Sequence, residues 1–194
     1  MPKVIDETKI FRTVIEMLVI HGYEGATTKE MAENADVNEA TLFRKYGSKA
    51  ELFEKAINHQ FKETPLNKLV YTGDLEADLL AIVEAYLDTN EAYGEFIPIL
   101  LTELPRHPEL KGAFITPWNN IQSIIKILQE YQSRGLLKQE SPLNCLNALI
   151  GPIMTSQMIR RANPGLPVPG IKAQEHLTTF LRGRKRYDPG CSDT

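Results

Sequence analysis

The 194-residue chain holds little of what catalysis, export or metal binding requires. Its two cysteines, Cys145 in an apolar helical pattern and Cys191 in a polar stretch, form neither a disulfide framework nor a metal cluster. The four histidines, His21, His59, His107 and His176, are scattered without metal-ligand spacing, and neither a Gly-rich phosphate loop nor a nucleophile elbow is present. No catalytic residue, no metal ligand and no cofactor is therefore expected, and the chain is not expected to be an enzyme. No apolar run approaches the roughly 18 residues of a membrane span. The start, Met1 to Asp6, runs straight into a charged helix instead of the apolar stretch of a signal peptide. A cytoplasmic protein without membrane contact is the expectation.

Period-two alternation is lacking as well, while helical spacing of apolar residues recurs almost throughout, so the predicted class is all-α with about nine helices. The first runs over 6–22 with Ile10, Val14, Met17 and Leu18 inward and stops at Gly22. Ser48 caps a helix carrying Leu52, Phe53, Ala56 and Ile57, which Thr64-Pro65 interrupts. Further helices follow over 74–90, 95–104 and 108–134, the last with a bend expected at Thr116-Pro117 and a stop at Gly135. Ser141 and Pro142, as cap and first-turn proline, open a helix to about 161. A proline-containing loop over 163–170 precedes a last helix over 171–181, and then a basic tail with Arg182, Arg184, Lys185 and Arg186. A hydrophobic content of 42% permits a real core.

The most informative stretch is 27–49, which spells two short helices joined by a tight turn. Thr27 and Glu30 have capping-box spacing: the Thr27 hydroxyl can accept from the Glu30 amide while the Glu30 carboxylate reaches back to the Thr27 amide. Met31, Ala32 and Ala35 face inward, and the small alanines let a second helix cross closely. Asp36 ends the first helix in a left-handed conformation that Asp tolerates better than most residues. Asn38 caps the second, Val37 and Leu42 fill the space between the two, and Glu39, Thr41, Arg44 and Lys45 are left outward.

At these residues the chain resembles the TetR family of transcriptional regulators. Ile10-Phe11, Met17-Leu18, Gly22-Tyr23, Thr27-Thr28, Met31-Ala32, Ala35-Asp36-Val37, Thr41-Leu42-Phe43, Tyr46 and Ser48-Lys49 follow the family's N-terminal pattern without a gap. The resemblance is strong over 6–57 and weak beyond. Three residues depart from it: Asp36 stands where Gly is usual, Phe43 where a Tyr commonly gives its hydroxyl to a phosphate, and Glu39 adds negative charge at the groove-facing surface.

The resemblance implies a helix-turn-helix DNA-binding domain over 1–50, a helical ligand-binding and dimerisation domain over 51–183, and a flexible tail over 184–194. Chemistry then sorts the DNA-facing residues. Thr28, Lys29, Thr41, Lys45 and Lys49 suit phosphates. Glu39 suits a cytosine amino group, Arg44 a guanine and the Ala40 methyl a thymine. Phe43 either stacks on sugar-phosphate or completes the core. A Lys/Arg pair on a short helix is usually a solvated face; within a complete helix-turn-helix the DNA-facing role of Arg44, Lys45 and Lys49 takes precedence. Related proteins bind an inducer between central helices, and Tyr86, Tyr93, Phe96, Phe114, Trp118 and Met154 are the residues available to line an apolar pocket. The last two helices of the family pair with their two-fold mates, here through Leu146, Ile150, Ile153, Leu177, Phe180 and Leu181.

The implied function is a ligand-responsive repressor that binds a near-palindromic operator in double-stranded DNA as a homodimer, with a small-molecule effector that the sequence does not identify. The competing reading is a helical interaction or ligand-binding protein that has lost sequence-specific DNA binding. Charge favours that rival: the net charge is −3, and residues 1–50 hold seven Lys/Arg against eight Asp/Glu, a net of −1. Only locally does the balance reverse, with Arg44, Lys45 and Lys49 against Glu39 over 37–49, a net of +2. Few phosphates are then neutralised and few counterions released, so a titration of duplex DNA against salt should give modest affinity and a shallow slope. A steep slope contradicts this placement of charge.

Overall fold

The computed structural model describes residues 6–93 and 96–186, with the backbone alone of Tyr93. Among these residues there are nine α-helices and no sheet. They are α1 (Glu7–Gly25), α2 (Thr28–Asn34), α3 (Glu39–Tyr46), α4 (Lys49–Glu63), α5 (Leu75–Tyr93), α6 (Phe96–Glu103), α7 (Ile115–Ser133), α8 (Pro142–Ala162) and α9 (Ala173–Arg182), with 3-10 segments at Pro65–Lys68 and Pro108–Phe114. The class and helix number agree with the periodicity. An isolated antiparallel bridge joins Leu137 to Lys185.

The helix starts obey capping chemistry, with three local corrections. Asp6 accepts from the Lys9 amide and Ser48 from the Glu51 amide, both at 3.1 Å. α1 does not stop at Gly22 but runs on to Gly25 across a break, where Gly22 takes φ 70° and ψ 176°. Pro117 lies in the first turn of α7, where its missing N–H leaves no bond unmade, so it begins a helix instead of bending one. Ser141 occupies the cap position of α8 without a side-chain bond, and the first-turn Pro142 does the work of starting that helix.

The described residues fall into two compact units, one within 1–67 and 88–119, the other within 68–87 and 120–194. The first is built on Ile10, Val14 and Leu18 of α1, Met31 of α2, Leu42 of α3 and Phe53 and Ile57 of α4, none more than 2% exposed. Burial of each such side chain is worth about 1.5–3 kcal/mol. Two polar staples add direction to this apolar core. At the Gly22 break the Tyr23 amide, left without a helical acceptor, donates to Glu103 Oε2 at the end of α6, at 2.6 Å. Asn58 of α4 donates from Nδ2 to the Gly112 carbonyl and accepts at Oδ1 from the Thr116 amide, both at 2.8 Å.

The second unit centres on Asp78 of α5. Its carboxylate, 4% exposed, accepts from the Thr72 amide at 2.8 Å, the Thr72 hydroxyl at 2.6 Å and the Tyr131 hydroxyl of α7. Burial pushes the Asp78 pKa up, but these bonds outweigh it and hold the carboxyl below its usual value. Burial and the same carboxylate push the Tyr131 hydroxyl up. Residues 184–186, given to a tail by the sequence reading, lie against 136–138: the Lys138 amide donates to the Arg184 carbonyl at 2.9 Å and the Arg186 amide to the Leu136 carbonyl at 3.1 Å. Arg184 pairs with Glu140 at 2.8 Å and Lys185 with Glu76 at 2.7 Å. Cys145 is buried, which pushes its thiol up to about 11. Cys191 lies outside the described residues.

Two substitutions test these anchors. Asp78→Ala leaves the Tyr131 hydroxyl buried without its acceptor and should cost about 3 kcal/mol in chemical denaturation at neutral pH. Because folding depresses the Asp78 pKa, its contribution is present above the unfolded value near pH 4 and lost as pH falls through the folded value; the variant's deficit should therefore shrink in acid. Gly22→Ala places a Cβ 3.3 Å from Glu103 Oε2 in a left-handed conformation and should cost about 1–2 kcal/mol in thermal unfolding.

Candidate nucleic-acid interface

The bihelical element at 27–49 owes its shape to four local devices. The Thr27 hydroxyl accepts from the Glu30 amide at 3.2 Å, as the spacing predicts, but the return bond differs. The hydroxyl donates to Glu30 Oε2 at 2.8 Å, in place of a bond from the Thr27 amide to that carboxylate. α2 then ends in a Schellman turn: Asp36 takes φ 57°, its amide donates to the Glu33 carbonyl at 3.1 Å, and the Val37 amide donates to the Ala32 carbonyl at 2.9 Å. Asn38 accepts from the Ala40 amide at 2.8 Å and so starts α3 immediately. Gly47 ends it at φ 83°, where a Cβ would meet the Glu51 carboxylate. Met31, Ala32, Ala35 and Leu42 are buried where the two helices cross.

All nine DNA-facing residues named from the sequence reach the surface. Lys29, Ala40, Phe43, Arg44 and Lys45 are exposed, and Thr28, Glu39, Thr41 and Lys49 are half-buried. Phe43, 46% exposed, is thereby removed from the core alternative. Arg44 makes no ion pair among the described residues and stands free at the end of α3. Glu39, Lys45 and Lys49 are engaged. The Thr28 hydroxyl donates to Glu39 Oε1 at 2.6 Å, so the carboxylate that the sequence offers to a base ties the start of α2 to the start of α3. Lys49 donates to the Glu24 carbonyl at 3.3 Å and lies 4.6 Å from the centre of the Tyr23 ring. Burial draws its pKa below the usual lysine value, against the opposing pull of Glu24 and Glu109.

Lys45 meets a residue that no sequence signal marks. Its Nζ lies 3.0 Å from Glu7 Oε1 in the first turn of α1, and the same oxygen accepts from the Tyr46 hydroxyl at 3.1 Å. The hydrogen bond from Lys45 holds the Glu7 carboxyl below its usual value. Burial and then Glu7 itself push the Tyr46 hydroxyl up. Glu7 is 38 positions from Lys45 in a different helix, so neither spacing nor composition could pair them. A second neighbourhood was also missed. His107, nearly buried against the Tyr23 ring at 4.6 Å, has its ring nitrogens 3.5–3.7 Å from Glu24, Glu103 and Glu109. Among the described residues no group of histidine, cysteine and carboxylate side chains is arranged to hold a metal.

The residues proposed for an effector are placed individually. Phe96 is fully buried against Phe61, with ring centres 5.4 Å apart, and Tyr86 is buried. Phe114 lies 6.1 Å from Trp118, itself 44% exposed, and Met154 is half-buried. The Tyr93 side chain lies outside the described residues. Two surface grooves, one of about 360 Å³ beside Tyr71, Lys126 and Glu130 and one of about 380 Å³ beside Phe11, His59 and Glu63, contain none of these side chains. Of the residues proposed for self-association, Leu146, Ile153, Leu177, Phe180 and Leu181 are already buried within the single chain, and Ile150 is half-buried. Their apolar surface is largely spent on the chain's own core.

Comparison with known proteins agrees with this geometry. The model of the tetR family of bacterial regulatory proteins matches residues 10–56. An uncharacterized HTH-type transcriptional regulator, YvkB of Bacillus subtilis, is 27% identical over 180 residues, 90% of this chain and 95% of its own. The nucleoid occlusion factor SlmA of Idiomarina loihiensis is 28% identical over 176 residues, 86% of this chain and 89% of its own. Among solved structures, the TetR-family regulator PfmR of Thermus thermophilus superposes with a TM-score of 0.65 at 18% identity, covering 89% of this chain and 97% of PfmR. No helix among the described residues is long and apolar enough to cross a membrane. Residues 10–56 thus match the tetR family of bacterial regulatory proteins, and along most of its length the chain is similar in sequence to HTH-type transcriptional regulators and shares the all-helical fold of TetR-family structures.

Proposed function

We propose that the chain is a cytoplasmic, ligand-responsive repressor that binds a near-palindromic operator as a homodimer. The observation that carries this reading is the surface of α2, α3 and the start of α4, where Thr28, Lys29, Ala40, Thr41, Phe43, Arg44 and Lys49 all reach solvent from one bihelical element. Phosphate contacts from Thr28, Lys29, Thr41, Lys45 and Lys49 set the register, and Arg44, Ala40 and Glu39 face base edges. On this reading residues 1–50 bind DNA, 51–183 hold the effector and the partner, and 184–194 contribute to neither.

A second copy is supported by the outward face of α8. Leu143, Ile150, Met154 and Met158 recur at helical spacing; Leu143 is 48% and Met158 41% exposed, and the other two are half-buried. This face, instead of the buried Leu146, Ile153 and α9 residues, is the one available to a two-fold mate, and Ile150 alone is common to both sets. An effector pocket draws its support from family likeness, with Tyr86, Tyr93, Phe96, Phe114, Trp118 and Met154 retained as candidates. An effector that relieves repression must favour a head arrangement that does not match the operator.

The rival reading, a helical interaction protein without sequence-specific DNA binding, gains weight from the two carboxylates that engage Thr28 and Lys45. Selection of bound sequences from a random duplex pool with purified protein separates the two. Enrichment of a two-fold symmetric site is expected, with Arg44→Ala weakening binding to it by about 1–3 kcal/mol and relaxing preference at one base pair while leaving the melting temperature unchanged. Failure to enrich any sequence decides for the rival.

A further inference from the structure

The helix-turn-helix surface includes one carboxylate that neither packs the core nor faces a base. Two donors from α3, the Lys45 ammonium at 3.0 Å and the Tyr46 hydroxyl at 3.1 Å, converge on Glu7 Oε1. An ammonium held by an anionic oxygen at an exposed edge is the contact that a DNA phosphate oxygen takes from such a surface, while the hydroxyl of Tyr46, a residue only 3% exposed, fixes that oxygen from the protein side. The pair is no buried structural bridge: the Glu7 side chain is 52% and the Lys45 side chain 34% exposed, so solvent or a competing anion can reach it.

We propose that Glu7 is an internal stand-in for a backbone phosphate, holding Lys45 in the free protein and exchanged for the duplex on binding, and that it thereby sets the affinity and salt response of the head. This rests on the DNA-binding reading given above. The consequence follows from charge balance. When a phosphate takes Lys45, the Glu7 carboxylate loses its cation and is left close to a polyanion, so part of each phosphate contact is spent displacing it. Tyr46 then keeps the oxygen of Glu7 as its acceptor, which anchors the start of α1 while Lys45 leaves. The other charged groups at this edge, Lys55 with its ammonium 5.4 Å from the Tyr46 ring centre and His59 on the same helix, give the released carboxylate only distant compensation.

The test is a titration of the full chain against its selected duplex over a range of salt, with every variant checked by thermal melting. Glu7→Gln keeps an acceptor for Tyr46 and removes the charge; it should bind two- to fivefold tighter, about what an exposed ion pair is worth, and steepen the slope of log K against log salt by roughly one phosphate, about 0.9. Glu7→Asp, which keeps the charge but shortens its reach, should fall between. The gain should vanish in a Lys45→Ala background. Glu16→Gln removes an equal charge from the same helix, where Glu16 pairs with Arg12 at 3.1 Å, and should leave affinity within twofold of the original. Unchanged or weaker binding by Glu7→Gln overturns the proposal, as does an equal gain in Glu16→Gln or a gain that survives Lys45→Ala, either of which reduces Glu7 to bulk charge. Absence of binding by the original chain to every duplex overturns the DNA reading and this one with it.

Discussion

The close crossing of α2 over α3 is the constraint on which the DNA-binding surface depends. Two buried alanines, Ala32 and Ala35, allow the approach, and a Schellman turn closed by Asp36 in the left-handed region redirects the chain within two residues. Everything outward of that crossing follows geometrically. Once Asn38 starts α3, the 3.6-residue period sends Leu42 and Tyr46 inward and Arg44 and Lys45 outward. An Asp at this turn carries a steric cost that Gly avoids, and the chain offsets it with two backbone bonds that satisfy the last carbonyls of α2.

That element is also held from outside itself. α1 is broken at Gly22, and the amide exposed by the break is taken up by Glu103, eighty positions away; Asn58 ties α4 to Gly112 and Thr116 in the same unit. Polar bonds of this kind fix direction in a way that hydrophobic burial, which is indifferent to orientation, does not. The residues that bind α1 and α4 therefore belong to 103–116, and the compact unit containing the helix-turn-helix extends well beyond the first fifty residues to include 88–119.

Charge on the surface is arranged economically for a protein of net charge −3. Carboxylates engage two of the proposed phosphate ligands, Glu39 at Thr28 and Glu7 at Lys45, while Lys49 lies over an aromatic ring and Arg44 stands without an ion pair among the described residues. A surface built in this way limits indiscriminate attraction to polyanions, because attraction must compete with bonds already made. It favours partners whose geometry rewards the exchange.

The class, the helix number, the caps at Thr27, Asn38 and Ser48, the left-handed Asp36 and the solvent-facing set from Thr28 to Lys49 were legible in the amino-acid order because each depends on residues within about four positions of one another. The break at Gly22, the role of Pro117 as a helix start, the occupation of Lys45 by Glu7 and of Thr28 by Glu39, and the burial of Leu146, Ile153, Leu177, Phe180 and Leu181 within one chain were not. An apolar stripe looks the same whether its own chain or a twin covers it, and an acid shows no preference for a base until the fold sets their distance. Local order thus determined which helices form and which way each faces, and tertiary structure alone decided which of their outward groups are already taken.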